Sequence, residues 1–416
     1  MTSNDVESLQ KSMAELQSPS HARANLHPAT LALHADDALN VVTDVAPPLH
    51  LSTTFRYCNN PEELVPWSDN TLASLPATSH IYSRHTNPSS TRFETILTPL
   101  LHGHVVSYTS GLAALHAALV LLNPRRIAVS NGYHGSHGVI ELQTRLNGLQ
   151  KLPLDCPADE LQQGDVILLE TPINPHGTAF DIQHYANKAH ARGAYLVVDS
   201  TFGPPSLQDP FRWGADVVLH SGSKYLGGHS DMLCGVLAVQ RAEWKAQLVK
   251  DRLLLGSVMG NMEGWLGVRS LRTLEVRVQR QSANAARLVE FIHGALEMAD
   301  ADVKEGSEEA AVRAVVETVK HASLQEGEWV RRQMPNGFGT VFSITLREKQ
   351  FAQLLPTKLR LFHHATSLGG VESLIEWRAL TDPTVDQRLL RVSVGLENWE
   401  DLKADFVQAM TEVVKG

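Results

Sequence analysis

One lysine stands apart in this 416-residue chain. Lys224 lies in HSGSKYLGG (220–228), just beyond the apolar run ADVVL, among glycines and serines that leave hydroxyls and bare backbone amides around it. A surface lysine needs no partner and simply extends to solvent. A lysine set among such small residues lies where an anionic group can approach the chain closely. Other reactive side chains occupy comparable places. Ser110 and Gly111 follow HVVSY, Tyr133 follows RIAVSNG, Asn174 follows LLETPI, Asp199 follows YLVV, and Ser221 and Ser223 immediately precede the lysine.

Taken singly, each has an ordinary explanation: Ser110 caps a helix, Tyr133 is half-buried core, Asp199 satisfies backbone amides. Taken together they are complementary. Helix-start amides and hydroxyls suit a phosphate, an aromatic face suits a ring, a carboxylate suits a ring nitrogen, and an amine suits an aldehyde. That donor set describes a site for pyridoxal 5'-phosphate (PLP). Two other motifs carry less. SGSK (221–224) satisfies S-x-x-K, but that serine-nucleophile signature needs the pair one turn apart at a helix start, whereas here it follows a strand. The histidines of HGSH (134–137) and HH (363–364) lack a cysteine or carboxylate partner set, so no metal site is expected.

The elements that must position these residues follow a strand–helix–strand rhythm. HVVSYTSG (104–111), RIAVSNG (126–132), DVILLE (165–170), AYLVVDS (194–200), ADVVLH (215–220) and GVLAVQ (235–240) are short apolar runs bounded by turn residues, as in strands buried on both faces. LAALHAALVLL (112–122) and DIQHYANKAHARG (181–193) read as helices between them. This is an α/β pattern with a mostly parallel sheet, whose ligands belong beyond the carboxyl ends of the strands. Around 245–295 the pattern becomes long and helical, most plainly over 265–296, and the charged stretch near 301–330 is either a solvated helix or an insertion. GTVFSITL (339–346) and LLRVSVG (389–395) read as strands, and WEDLKADFVQAMTEVV (399–414) as a closing helix. The expected division is an N-terminal arm (1–60), a PLP-binding domain (61–258) and a smaller α+β C-terminal domain (259–416).

Composition sets bounds. A net charge of −9 argues against nucleic acid or an anionic membrane as partner, since both require clustered Lys and Arg. Three dispersed cysteines, Cys58, Cys156 and Cys234, support neither a disulfide framework nor a zinc site and fit a reducing compartment. Residues 1–28 resemble neither a secretory signal nor a transit peptide, and no apolar stretch reaches membrane-spanning length. The expectation is a cytoplasmic protein with a frayed polar N-terminus and a small-molecule ligand.

Eight segments in order, VAPPLHLSTTF (45–55), YSRHTNPSSTRFE (82–94), TSGLAAL (109–115), ETPINP (170–175), VVDSTF (197–202), HSGSKYLGGHSD (220–231), SLGGVESL (367–374) and LRVSVGLE (390–397), carry a resemblance. The sequence resembles the cysteine and methionine metabolism family of PLP enzymes, the trans-sulfuration enzymes, from about residue 28 onward. The resemblance implies the aspartate-aminotransferase-like fold (PLP fold type I) and a homotetramer built of dimers. It implies that Lys224 bonds the cofactor aldehyde and that Asp199 faces the ring nitrogen. Ser110, Gly111, Leu112, Ser221 and Ser223 would hold the phosphate, together with Tyr82 and Arg84 of a neighbouring subunit. Tyr133 would stack on the ring and join Lys224 as a catalytic residue. Arg391 would grip the substrate carboxylate, with Ser367 and Asn174 close to lysine and substrate. Thr366 stands where cystathionine-forming and γ-cleaving relatives often carry Glu, which bears on substrate choice. The expected reaction is γ-replacement on an O-activated L-homoserine by a sulfur or carbon nucleophile. A cystathionine β- or γ-lyase shares the same cofactor contacts, and a catalytically silent assembly subunit would have no physical need of Lys224, Asp199, Tyr133 and Arg391 together.

Overall fold

The computed structural model describes residues 26–64, 66 and 77–415; the N-terminal residues 1–25, expected to be frayed, lie outside the described residues. Seven strands form the larger sheet: β1 (His104–Tyr108), β2 (Arg126–Val129), β3 (Gln150–Pro153), β4 (Val166–Glu170), β5 (Tyr195–Asp199), β6 (Val217–Ser221) and β7 (Gly235–Val239), in the order β1-β7-β6-β5-β4-β2-β3. Every pairing is parallel except the two made by β7. The other six strands therefore point the same way, and their carboxyl ends meet on one edge.

The continuous apolar runs explain why these strands are central. Alternate residues feed two separate cores, Ile167, Leu169, Leu196 and Val198 into one and Val166, Leu168, Val197 and Leu219 into the other. Burying each such side chain contributes about 1.5–3 kcal/mol. One face is covered by α1 (Pro28–His34), α2 (Pro88–Leu100) and, later in the chain, α5 (Ile182–His190), the other by α3 (Gly111–Leu122), α4 (His134–Asn147) and α6 (Ala242–Leu255). The helical stretch over 265–296 is carried by two helices, α7 (Asn261–Leu271) and α8 (Leu274–Glu297). The break falls at Arg272, whose guanidinium turns away to Asp36 at 2.8 Å, where Arg92 also pairs at 3.0 Å. That three-membered ion cluster fastens the segment after α1 to α2 and α8.

Helix α8 serves both halves of the molecule. Leu274 and Val278 lie in a core of the large sheet, whereas Leu288, Val289 and Ile292 lie in the core of a second sheet. That five-stranded sheet contains β8 (Val316–Lys320), β9 (Val341–Leu346), β10 (His363–His364), β11 (Leu374–Trp377) and β12 (Leu389–Ser393), in the order β10-β11-β12-β9-β8. The helices α9 (Glu308–Val315), α10 (Glu328–Gln333), α11 (Lys349–Lys358) and α12 (Trp399–Lys415) complete this part. The charged stretch 301–330 is thus neither one solvated helix nor a bare insertion. It supplies α9, the edge strand β8 and the start of α10, and the exposed Glu317 and Thr318 on that edge are what mask the strand in the sequence. Among the described residues no helix is long and apolar enough to cross a membrane.

Candidate active site

The carboxyl ends of the parallel strands open into a cavity of about 560 Å³, a size typical of small-molecule sites. Ser110, Gly111, Leu112, Tyr133, Asn174, Asp199, Ser221, Ser223, Lys224, Thr366, Ser367 and Arg391 all line it. Residues up to 281 positions apart in the chain, Ser110 and Arg391, therefore face one space.

The floor is made by strand ends. After β1, Ser110 caps α3, its Oγ accepting from the Ala113 amide at 3.1 Å. The first amides of a helix have no intrahelical partners, so those of Gly111 and Leu112, both on the cavity wall, remain available to an anion. Gly111 is a glycine for space, because a Cβ there would sit 2.9 Å from Cβ of Ser221. At the end of β5, Asp199 accepts at Oδ1 from both the amide (3.0 Å) and the hydroxyl (2.6 Å) of Thr201. The Thr201 Oγ1 in turn accepts from the Ser221 amide at 2.9 Å, joining the ends of β5 and β6. Ser223 is fixed by Cys234, whose amide donates to its Oγ at 2.9 Å.

Lys224 follows β6 and donates from Nζ to Ser367 Oγ at 2.9 Å. Its pKa is lowered, first by burial and then by the positive charge of Arg391. A lysine in that condition gives up its proton more readily than one in water. Ser367 holds φ at +80°, a left-handed backbone that a serine adopts at a cost of order 1–3 kcal/mol. That conformation turns its hydroxyl to Lys224 while its carbonyl accepts from Arg391 Nη2 at 2.8 Å.

Arg391, on β12, is buried and also donates from Nη1 to Asn174 Oδ1 at 3.1 Å. Burial lowers its pKa to about 10, so it stays a cation near neutral pH. Glu376 on β11 supports it across the strand pair, with Oε2 at 2.5 Å from Arg391 Nη2.

Three charged residues of this neighbourhood were not singled out from sequence. Glu170, which ends β4 directly beside Asp199 in register, accepts from the amides of Tyr133 and Asn174, each at 2.7 Å. It thereby ties together the two loops carrying those side chains, and a Cβ on Gly132 would run into it. Burial, and then the charge of Asp199, raises its pKa, whereas Asp199 is raised by burial against the pull of Thr201. Glu376 and Arg378 are the other two. The register position of Glu170 was the available signal; nothing local marked Glu376 or Arg378.

Tyr82 and Arg84 are not brought to this cavity. Tyr82 pairs with Thr54 in an isolated bridge and is 46% exposed, and Arg84 donates from Nη1 to the Leu253 carbonyl at 3.1 Å. Among the described residues no three His, Cys, Asp or Glu side chains gather as a metal ion would need.

The donor set fits PLP on its own chemistry: free helix-start amides with serine hydroxyls, an aromatic ring, a carboxylate and a partly desolvated lysine on one wall. The comparisons agree. The model of the Cys/Met metabolism PLP-dependent enzyme family matches residues 29–411. The chain is 29% identical to a cystathionine gamma-synthase/O-acetylhomoserine (thiol)-lyase of Bacillus subtilis, over 90% of this chain and 94% of that protein. It is 32% identical to a cystathionine beta-lyase of Lactococcus lactis subsp. cremoris, over 79% of this chain and 88% of the other. Its fold matches the cystathionine gamma synthase of Xanthomonas oryzae pv. oryzae with a TM-score of 0.80 at 28% identity, covering 94% of this chain and 99% of that one. With fold, cavity and relatives in agreement, the chain belongs to the Cys/Met metabolism family of PLP-dependent enzymes, with the trans-sulfuration type of chemistry.

Proposed function

We propose that this enzyme carries out γ-replacement on an O-activated L-homoserine. The observation that supports it best is the chain of contacts from Lys224 through Ser367 to Arg391, which ties the proton-carrying amine to the carboxylate-binding arginine. Bound PLP supplies an electron sink for the substrate carbons. Lys224 would bond its aldehyde, Asp199 would serve its ring nitrogen and Tyr133 its ring face, while Ser110, Gly111, Leu112, Ser221 and Ser223 would hold its phosphate.

The protein's own steps are binding and proton transfer. Arg391 would offer its remaining N–H groups to the substrate α-carboxylate in charge-assisted bonds. Asn174 and Ser367 hold that guanidinium. Lys224, with its pKa lowered by burial, would take the α-proton and then a β-proton at Nζ so that the γ-leaving group can depart, and would return protons to Cβ and Cα once the nucleophile has added. Loss of the γ-leaving group then lets a nucleophile add at Cγ. Thr366 offers the cavity a neutral hydroxyl, which favours a compact nucleophile over cystathionine as either substrate or product: its distal ammonium gains nothing there from a charged partner.

The phosphate end of the cavity supports assembly. Among the described residues the only lysine or arginine side chains on the wall are Lys224, Arg378 and Arg391, so neutral donors alone would meet a phosphate dianion. We therefore propose that Tyr82 and Arg84 serve a neighbouring subunit's phosphate in an oligomer, expected to be a homotetramer. The division into an arm (1–60), a PLP-binding domain (61–258) and a C-terminal domain (259–416) is kept as a proposal, with α8 shared by both cores.

Incubating the PLP-loaded enzyme separately with O-acetyl-L-homoserine and O-succinyl-L-homoserine, each with cysteine or sulfide, and with L-cystathionine tests the reaction. Mass identification of a γ-substituted product is expected. Cleavage of cystathionine as the dominant activity would replace this reading with the lyase.

A further inference from the structure

We propose that Arg378 forms a second anion subsite beside Arg391, so that the pocket takes a substrate pair bearing a carboxylate in addition to the α-carboxylate. The proposal rests on the reading above, in which Arg391 holds an amino-acid α-carboxylate, and names the chemistry of what lies beyond it.

Arg378 follows β11 directly and lines the cavity, yet it is 4% exposed. Its Nη1 donates to Glu376 Oε2 at 2.9 Å, the same oxygen that Arg391 Nη2 meets at 2.5 Å. The other oxygen of Glu376 accepts from Thr381 Oγ1 at 2.9 Å. One carboxylate, with both oxygens engaged, thus faces two guanidiniums and can neutralise only one of them. The Nε of Arg378 is buried with no hydrogen-bond partner. A guanidinium N–H left in that state costs free energy until an acceptor arrives, and a charged acceptor repays most. A structural prop for Arg391 would need only the bond to Glu376, not a second cation on the cavity wall.

The remaining charges on the wall do not supply the acceptor. Glu170 is engaged by two backbone amides, and Asp199 by Thr201. An α-carboxylate on Arg391 leaves Arg378 available for a carboxylate carried either by the leaving group or by the incoming nucleophile.

The test uses the PLP-loaded enzyme and two amino acids without a γ-leaving group, L-2-aminoadipate and L-norleucine, with binding followed by calorimetry. The parent should bind the dicarboxylate about tenfold or more tightly, the scale of one charge-assisted hydrogen bond. Arg378→Gln should collapse that preference toward unity. Arg378→Lys, which keeps the charge, should recover part of it and so exclude misfolding as the cause. Equal binding of both ligands by the parent, or an equal loss for both in Arg378→Gln, would overturn the proposal. Turnover then separates the sources of the carboxylate. With sulfide as nucleophile, an Arg378-dependent preference for O-succinyl- over O-acetyl-L-homoserine assigns it to the leaving group. With O-acetyl-L-homoserine, an Arg378-dependent preference for cysteine over cysteamine assigns it to the nucleophile. Absence of any γ-replacement would sink the proposed reaction, while the binding comparison still decides the subsite.

Discussion

The two walls of the cavity are built by different rules. The floor comes from the large sheet, where each group sits at or just past the end of its own strand and is held by near neighbours: Asp199 by Thr201, Ser110 by its own helix, Ser223 by Cys234. The opposite wall comes from β11, β12 and the turn before them, and its groups are held across the whole fold. Lys224 reaches Ser367 over 143 residues of chain, and Arg391 reaches Asn174 over 217. A strand end carries its own address, whereas a long-range pairing has none in the local sequence. Damage to the floor should accordingly disturb the cofactor, and damage to the opposite wall should disturb the choice and grip of substrate.

The largest effect is expected where the walls meet. Lys224→Ala removes the only lysine on the cavity wall among the described residues, and turnover should fall by roughly 10²–10⁴ or more, the usual contribution of a positioned acid–base. Steady-state rates check this, and near-parental activity would mean that another base carries the protons. Next comes Arg391→Lys, which keeps the charge but loses the planar fork. Its kcat/KM should fall about ten- to a hundredfold, with KM bearing most of the change and the cofactor absorbance retained. Loss of the cofactor instead would erase the distinction between the walls.

A smaller effect is expected at the mouth. Thr366→Glu should move the ratio of kcat/KM values toward cystathionine by roughly tenfold, since a carboxylate would meet the distal ammonium. A ratio that does not move places substrate selection elsewhere. Assembly is tested by co-folding Lys224→Ala with Arg84→Ala. Partial recovery of activity is expected, because some hybrid sites would receive both intact halves. No recovery from hybrids that still assemble would confine each site to one chain.

A separate effect concerns stability, and it compares the sheets themselves. His220 on β6 and His321 after β8 are both buried, and burial lowers their pKa values to about 3 and about 4. In the unfolded chain each takes a proton near 6.5. Stability should therefore fall as pH drops below about 6.5, by up to about 1.4 kcal/mol per pH unit for each histidine, until the folded-state values are reached. The raised carboxyls of Glu170 and Asp199 act in the opposite sense, favouring the folded state as pH falls. Thermal unfolding of parent and His220→Gln between pH 7 and 4 isolates one term: the variant should show the shallower decline, and identical slopes would remove His220 from the account.

How much of this was legible in sequence follows the same division. The apolar runs ending at Tyr108, Glu170, Asp199 and Ser221 located the floor, because strands buried on both faces leave an unbroken hydrophobic signature. The edge strands β3 and β8 did not show, although the edge strand β1 did. β3 is largely exposed, and β8 carries exposed residues inside a charged stretch, so neither has an apolar run to read. The break between α7 and α8 coincides with an ion pair from Arg272 to Asp36, far upstream. Arg391 and Ser367 were found through resemblance rather than periodicity, whereas Asn174 was read from its place after the run LLETPI. Glu170 passed as a strand boundary, although its register beside Asp199 makes it the link between two site loops.

The central claim is that Lys224 is the amine on which both walls converge. Borohydride reduction of the PLP-loaded enzyme, followed by proteolysis and mass mapping, tests it directly. The account predicts cofactor fixed to the peptide containing Lys224 in the parent and no fixed cofactor in Lys224→Ala. Cofactor recovered on any other lysine, such as Lys188 or Lys245, would contradict it.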